Sequence, residues 1–227
     1  MPSVEVMHED DDMIVVCKPA GMYAHPAPGH ESGTLTDALL PLYPELARVG
    51  SAGRPGIVHR LDCETSGVMA LARTQRAYLS LRRAFESHTA VRKTYLAVLH
   101  GAPKPRSGTV ETLIGRKPWD PKRMAVVEKD GARAVTHWEV LAVHGPIALV
   151  EFVIETGRTH QIRVHAAHLG YPVAGDALYG DAAADRRMAN PPRRQLLHAL
   201  GLALPHPVTG EPLSFMAPPP PDIIYAR

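Results

Sequence analysis

Strand-like segments dominate this chain, and the helical segments do not alternate with them as regular strand–helix–strand units. In residues 91–99, every second residue from Tyr95 to Leu99 lies on one face, as in a β-strand. Residues 134–143 and 147–155 are separated by His-Gly-Pro, which predicts a β-hairpin. The pattern therefore predicts an α+β fold, with a mostly antiparallel mixed β-sheet flanked by helices and loops.

Short strand-like segments and helix-capping residues predict further strands and helices. Further strands are predicted at residues 4–7, 13–17, 68–72 and 213–216. A helix is predicted after each of three threonines that can accept a hydrogen bond from the first helical turn, namely Thr34, Thr74 and Thr159. The last of these helices would cover residues 159–169 and end at Gly170.

Length and composition limit the classes to which the chain can belong. With 227 residues, 45% of them apolar, it can bury the core of one domain, so we predict a single domain over residues 1–227. Its apolar stretches are shorter than the roughly 20 residues of a membrane-spanning helix, and residues 1–12 are too acidic for a targeting peptide. We therefore expect a soluble, cytoplasmic protein that acts as a monomer.

Charge is nearly balanced overall but is unevenly distributed. The formal net charge is +2, and the acidic residues are concentrated at the amino end. Three later segments carry local charges of +5, +4 and +4, namely residues 73–93, 104–123 and 186–194. Any one of them is typical of a solvated helix or loop, whereas three together favour a polyanionic partner.

Several common enzyme signatures are absent from the sequence. It contains no phosphate-binding loop, no dinucleotide fingerprint and no Gly-x-Ser-x-Gly motif. His165 and His168 could share a helix face, but no cysteine pair or His-Glu-x-x-His motif accompanies them. We therefore predict neither a metal site nor a cofactor.

One polar segment, residues 59–67, reads His-Arg-Leu-Asp-Cys-Glu-Thr-Ser-Gly and comes directly before a predicted buried strand. This position places Asp62 on a loop between two strands, and the strands hold the loop and its carboxylate in a fixed position. Because an unperturbed aspartate is ionised at neutral pH, Asp62 could act as a nucleophile, a base or a metal ligand. A turn in which Asp62 forms an ion pair with Arg60 is an equally good interpretation of the spacing alone.

A second segment, residues 155–165, concentrates two arginines, two histidines and a glutamine around a predicted helix start. Arg163 lies about one turn after Thr159 and would project far enough to reach a carboxylate. A buried ion pair of Asp62 and Arg163 would keep the carboxylate ionised and fix its direction. The alternative is a surface helix with scattered polar residues, although the apolar residues of this segment give it an inner face.

Taken together, these segments resemble the RluA-type pseudouridine synthases. Residues 59–67 look like the HRLDxxTSG motif of that family, and residues 157–165 look like its GRTHQIRVH motif. The other similar segments are 18–26 (KPxGxxxHP), 93–97 (KxYxA), 175–180 and 197–199. Many members carry an S4-type RNA-binding domain ahead of the catalytic domain. We expect none here, because the motifs begin close to residue 1.

The resemblance implies the pseudouridine synthase catalytic fold and the isomerisation of specific uridines in structured RNA, either ribosomal RNA or transfer RNA. Asp62 would be the essential carboxylate, which attacks the sugar, adds to the base or abstracts a sugar proton. Tyr95 would stack on the uracil, and Arg163 would form an ion pair with Asp62. The residues implied to contact RNA are Lys18, His59, Arg60, Thr65, His160 and Gln161.

Two other classes of protein remain open from the sequence. An RNA-binding or RNA-folding protein on the same scaffold would not need Asp62, Tyr95 and Arg163 together. A metal hydrolase built on the histidines and Asp176 would lose its activity to chelators. For the isomerase, a loop uridine is the expected target, because extruding a paired base costs a few kcal/mol.

Overall fold

The computed structural model describes residues 4–87, 89–117, 119–224 and 226. The chain divides into two compact units, of which the first contains Met1–Arg92 and Ala199–Pro218 and the second contains Lys93–His198 and Pro219–Arg227. Two compact units are compatible with one domain or with two, so the single domain stays a prediction. Among the described residues, no helix has both the length and the apolar character that crossing a membrane demands.

Strands follow one another along the described chain with short helices between them. In chain order the strands are β1 (Glu5–Glu9), β2 (Met13–Lys18), β3 (Gly50–Ser51), β4 (Arg54–Pro55), β5 (Ser66–Ala72), β6 (Arg92–His100), β7 (Ser107–Lys117), β8 (Asp120–Val127), β9 (Ala132–His144), β10 (Ile147–Ile154), β11 (Leu197–Pro205) and β12 (Pro212–Met216). The helices are α1 (Leu35–Leu39), α2 (Gln75–Glu86), α3 (Gln161–His168), α4 (Ala182–Asp185), α5 (Pro221–Ile224) and a 3₁₀ helix at Pro44–Arg48. These elements confirm the predicted α+β class.

In the first unit, β1, β2, β5 and β11 lie side by side in that order, and β12 pairs with β11. β1 and β2 form an antiparallel hairpin and confirm the strands predicted at 4–7 and 13–17. Its acidic turn is stabilised by Asp10, whose carboxylate accepts hydrogen bonds from the backbone N–H groups of Asp12 and Met13. The predicted strand at 68–72 is confirmed as part of β5, which is buried along its whole length.

Two of the predicted threonine caps begin helices in the first unit. The Thr34 hydroxyl accepts from the Asp37 N–H, and the Asp37 carboxylate accepts from the Thr34 N–H, which is a capping box. Thr74 likewise accepts from the Ala77 N–H and begins α2. Helix α2 packs Ala77 and Leu81 into the same apolar core as β2 and β5.

In the second unit, five antiparallel strands lie in the order β6, β10, β9, β7 and β8. The predicted hairpin is confirmed, because His144 of β9 pairs with Ile147 of β10 across a two-residue Gly-Pro turn. Buried Phe152 of β10 lies opposite Tyr95 of β6. The end of β10 leads directly into the segment before α3.

The start of α3 differs from the prediction. The helix begins at Gln161, its N-cap is His160 with a φ of +58°, and no side chain caps it. The reason is a turn in which the Gln161 side-chain oxygen accepts hydrogen bonds from the N–H of Arg158 and the hydroxyl of Thr156. These bonds bend the chain just before the helix and leave Thr159 exposed. The prediction of Thr159 as the cap is therefore wrong.

Candidate active site

The loop that carries Asp62 connects β4 to β5 in the first unit, as its position between two strands predicts. Leu61 and Thr65 are buried on either side of Asp62 in the sequence, and the Thr65 N–H donates to the Asp62 carbonyl oxygen at 3.1 Å. Asp62 itself is half-buried. The loop is therefore anchored in the core on both sides of the carboxylate.

Lys18 ties the end of β2 to this loop. Its side chain is 0% exposed, and its ammonium donates to the carbonyl oxygens of Pro19, Met22 and Cys63 at 2.8, 2.8 and 3.0 Å. Cys63 is the residue that follows Asp62, so the buried ammonium restrains the backbone next to the carboxylate. The contact of Lys18 with RNA stays a prediction, while the structure shows this internal role for its charge.

His59 and Arg60 begin the loop motif and have different surroundings. The His59 ring stacks on Phe85 of α2, with 4.4 Å between ring centroids and 20° between ring planes. Its Nε2 accepts a hydrogen bond from the Ala70 N–H at 3.0 Å, which places the proton of the neutral ring on Nδ1. Arg60 is exposed, so its guanidinium is accessible to a phosphate. Their contacts with RNA stay predictions.

Gly67, which follows the loop, allows β5 and β11 of the first unit to approach each other closely. Its φ is +117°, and a Cβ at this position would lie 2.2 Å from the carbonyl oxygen of Ala199. Since real Cβ atoms do not approach an oxygen so closely, a side chain here would force the two strands apart. The last glycine of the motif is thus required by the packing of the strands behind Asp62.

In the second unit, Arg163 of α3 makes a two-point ion pair with Asp176. Arg163 Nε donates to Oδ2 at 2.6 Å and Nη2 donates to Oδ1 at 2.8 Å, and the two side chains are 6% and 0% exposed. The carboxylate also accepts from the N–H groups of Leu178 and Tyr179. Burial alone raises the pKa of Asp176, but the Arg163 hydrogen bonds and charge and these two N–H groups outweigh it, so the pKa is lowered.

The partner of Arg163 is the residue that sequence reasoning missed. The sequence predicts that Arg163 pairs with the Asp62 carboxylate, and the structure shows that Arg163 pairs with Asp176, which lies 13 residues later in the chain. The sequence placed Asp176 in the family-like segment 175–180 and suggested it as a metal ligand, but not as the partner of Arg163. Asp62 belongs to the first unit and Arg163 to the second, and an ion pair between them stays a prediction.

Tyr179 connects three residues of the second unit. The Arg163 guanidinium lies over its ring, 5.1 Å from the centroid. The Tyr179 hydroxyl lies 2.8 Å from His160 Nδ1 and accepts a hydrogen bond from the Met124 N–H of β8 at 2.8 Å. These contacts hold the half-buried His160 in its left-handed backbone conformation, which is uncommon for a residue with a side chain. Contact of His160 with RNA stays a prediction.

Gln161 belongs to a buried polar network in the same unit. Its side-chain nitrogen donates to the Val135 carbonyl oxygen and the Thr136 hydroxyl, both at 2.9 Å. The Thr136 hydroxyl lies 2.8 Å from His165 Nδ1, and His165 Nε2 lies 2.9 Å from the Thr112 hydroxyl. The structure therefore displays a structural role for Gln161, and its contact with RNA stays a prediction.

The buried His165 makes stability depend on pH. Burial, assisted by His168, lowers the pKa of His165 from 6.5 to about 4. Because the unfolded chain then binds this proton at a higher pH than the folded chain, the contribution to stability is present above pH 6.5 and is lost as the pH falls to 4. We expect a loss of about 3 kcal/mol in the free energy of unfolding, measured by urea denaturation.

The variant that isolates this effect is His165→Gln, because glutamine binds no proton in this pH range. Its free energy of unfolding should fall less than that of the wild type between pH 6.5 and pH 4. The matched control is His144→Gln, because His144 is exposed at the end of β9 and should leave the pH profile unchanged. Equal pH profiles for the wild type and His165→Gln would contradict the assignment to His165.

Tyr95 lies on β6 beside a buried lysine. Tyr95 is 9% exposed, and Lys93 donates to the carbonyl oxygens of Glu155 and Thr156 at 3.1 and 3.3 Å. Burial, together with the charge of Arg158, lowers the pKa of Lys93 to about 8. The lysine thus fixes β6 against the segment that precedes α3, two residues away from Tyr95. The stacking of Tyr95 on uracil stays a prediction.

The metal-hydrolase alternative takes Asp176 as a ligand, but the Asp176 carboxylate is engaged by Arg163 and by two backbone N–H groups. In the part of the chain that the structure describes, no group of three or more His, Cys, Asp or Glu side chains is arranged to hold a metal ion.

The motifs and the fold identify the class of protein. A family model described as RNA pseudouridylate synthase matches residues 12–168, a range that includes Asp62, Tyr95 and Arg163. The chain belongs to this RNA pseudouridylate synthase family, and it is of the RluA type.

Individual relatives support this assignment. An uncharacterised RNA pseudouridine synthase of Synechocystis is 45% identical over 96% of this chain and 66% of its own length. The chain is also similar to ribosomal large subunit pseudouridine synthase D of Neisseria meningitidis, with 44% identity over 98% of this chain and 60% of the relative. The enzyme of the same name from Pseudomonas aeruginosa is 40% identical over 98% of this chain and 70% of its own length. The chain thus spans about two thirds of the length of these relatives.

Two solved human structures have the same fold. They are RNA pseudouridylate synthase domain containing 1 and RNA pseudouridylate synthase domain containing 4, each 29% identical to this chain. Their TM-scores are 0.76 and 0.75, and the alignments cover 97% of this chain and 86% and 90% of theirs. The predicted pseudouridine synthase catalytic fold is therefore confirmed.

Proposed function

We propose that this protein is an RNA pseudouridine synthase that isomerises uridines in structured RNA, with large-subunit ribosomal RNA as its substrate. The observation that carries the proposal is the family match over residues 12–168, which spans Asp62, Tyr95 and Arg163. The relatives from Neisseria meningitidis and Pseudomonas aeruginosa are named for the large ribosomal subunit, which supports this choice of RNA.

In the proposed reaction, the bond between N1 of uracil and C1′ of ribose breaks, and a bond between C5 and C1′ forms. C5 loses its proton to solvent and N1 gains one, so the product is an isomer of the substrate. Asp62 is the essential carboxylate of this proposal. Its support is the anchored loop, because the bonds from Thr65 and Lys18 to the adjacent backbone limit the directions in which the carboxylate can point.

The other residues have separate tasks in the proposal. Tyr95 stacks on the uracil, and Arg163, which Asp176 holds in place, supplies a fixed positive charge. The exposed Arg60 contacts RNA as the base leaves its stack. The target is a uridine in a loop, since an unpaired base is extruded at lower cost than a paired one. The enzyme is proposed to act as a cytoplasmic monomer.

The test measures loss of the hydrogen at C5. Purified protein is incubated with a large-subunit ribosomal RNA transcript made with uridine tritiated at C5, and with transfer RNA transcripts labelled in the same way. We expect tritium to appear in water with the ribosomal transcript, because each new bond at C5 displaces one hydrogen. Carbodiimide-dependent primer extension then locates the modified uridine.

Each other outcome excludes part of the proposal. Binding of RNA without tritium release would favour the RNA-binding protein over the enzyme. Release from the transfer RNA transcripts alone would support the isomerase but contradict ribosomal RNA as its substrate.

A further inference from the structure

We propose that Trp119, in the turn between β7 and β8 of the second unit, is a platform on which an unpaired base of the RNA stacks. The inference rests on the proposed function, because it takes RNA as the partner. Trp119 is 79% exposed, the largest value among the exposed large apolar side chains of the described residues. An indole this exposed contributes little to a core, so packing does not account for its presence.

Positive charge surrounds this ring. Residues 116–123 include four basic residues and one acidic residue. Lys117 Nζ lies over the Trp119 ring, 5.7 Å from its centroid. The acidic residue, Asp120, forms an ion pair with Arg123, with 3.2 Å between Oδ2 and Nε. The turn therefore combines an accessible aromatic face with net positive charge, as surfaces that bind single-stranded nucleic acid do.

The hairpin of β7 and β8 is irregular near its turn and is fixed in place at Met124. Lys117 pairs with Asp120, whereas the preceding Arg116 pairs with Met124, so residues 121–123 form a bulge in β8. Below the bulge, the Met124 N–H donates to the Tyr179 hydroxyl at 2.8 Å. The strand geometry places Trp119 within about 17 Å of Met124.

The hydrogen bond between Met124 and Tyr179 links the hairpin to Arg163, because the Arg163 guanidinium lies over the Tyr179 ring. The packing of Met124 with buried Ile114 and Val164 fixes the direction of the hairpin further. When one part of an RNA is bound by the residues around Arg163, another of its nucleotides can therefore stack on Trp119. The hairpin holds Trp119 in a fixed position for this second contact.

Charge decides between RNA and an apolar protein surface as the partner. An apolar surface on Trp119 would remove the Lys117 ammonium, which lies over the ring, from water without providing opposite charge, which is costly. An RNA phosphate would instead neutralise the Lys117 ammonium and release a counterion.

The first test uses the fluorescence of the indole itself. The two tryptophans of the chain are Trp119 and Trp138, so Trp138→Phe leaves Trp119 as the sole indole. We expect the ribosomal RNA transcript to quench its emission as binding proceeds, because stacked bases quench indole fluorescence. Emission that stays constant while the transcript binds would overturn the inference.

The second test compares dissociation constants for the same transcript. We expect Trp119→Ala to raise Kd by roughly 5-fold to 150-fold, the range that corresponds to the loss of one stacked base. Trp119→Phe should raise it less, since it retains an aromatic face. Lys117→Gln should weaken binding and reduce the slope of log Kd against log salt by about one.

The matched control is Leu141→Ala, which removes another exposed apolar side chain from the second unit and should leave Kd unchanged. An unchanged Kd for Trp119→Ala would overturn the inference. If the wild type releases tritium in that case, the proposed function stands without the platform. Quenching and weakened binding in a protein that releases no tritium would support the platform and contradict the proposed enzyme.

Discussion

Asp62→Asn is expected to lower the rate of tritium release by at least about a thousandfold, measured in single turnovers on the ribosomal RNA transcript. The substitution removes a negative charge and preserves the shape of the side chain. Attack on the sugar, addition to the base and abstraction of a sugar proton all need that charge. The fold should survive, because the Thr65 N–H and the Lys18 ammonium bind backbone carbonyl oxygens of the loop, which the substitution does not alter.

The matched control is Glu64→Gln, which makes the same chemical change two residues later on an exposed side chain. Its rate should stay within about twofold of the wild type. Urea denaturation of both variants separates loss of the reaction from loss of the fold. A folded Asp62→Asn protein that keeps more than a tenth of the wild-type rate would exclude Asp62 as the essential carboxylate.

Of the substitutions proposed here, Asp176→Ala is expected to lower the free energy of unfolding the most, by about 3–5 kcal/mol. It removes a fully buried negative charge from beside Arg163, which is 6% exposed. It also removes the acceptor for the N–H groups of Leu178 and Tyr179. Urea denaturation at pH 7, where the carboxylate with its lowered pKa is ionised, measures this loss.

Asp222→Ala is the control, because Asp222 forms the same two-point ion pair with Arg194, at 2.7 and 2.9 Å. The Asp222 side chain is 45% exposed, so water already screens this ion pair and its loss should cost no more than about 1 kcal/mol. Equal losses for Asp176→Ala and Asp222→Ala would show that burial does not set the strength of the Arg163 ion pair.

Short-range signals predicted most of the elements that the structure contains. Thr34 and Thr74 begin α1 and α2 because an N-cap bond joins residues only three positions apart. The hairpin of β9 and β10 follows from two strand-like segments and the turn between them. Thr159 is the exception, because the side chain of Gln161 forms a turn that shifts the start of α3.

The candidate site was predicted less completely than the fold. Asp62 was placed on its loop from the motif and the neighbouring strand, and Arg163 was expected to pair with Asp62, whereas its pairing with Asp176 was not predicted. The motif gave no sign that Lys18 binds the carbonyl oxygen of Cys63, 45 residues away, inside the protein. A buried polar side chain and an exposed one look alike in a sequence, because burial depends on the segments packed around them.

The sequence by itself determined the α+β class, most of the strands and the family, because these follow from local periodicity and from the order of long motifs. Only the tertiary structure decided that Asp176 is a partner of Arg163 and that Lys18 and Gln161 bind groups inside the protein. It also decided that Trp119 lies at the surface. The physical reason is that ion pairing and burial depend on distances between segments, which packing sets and residue order does not state.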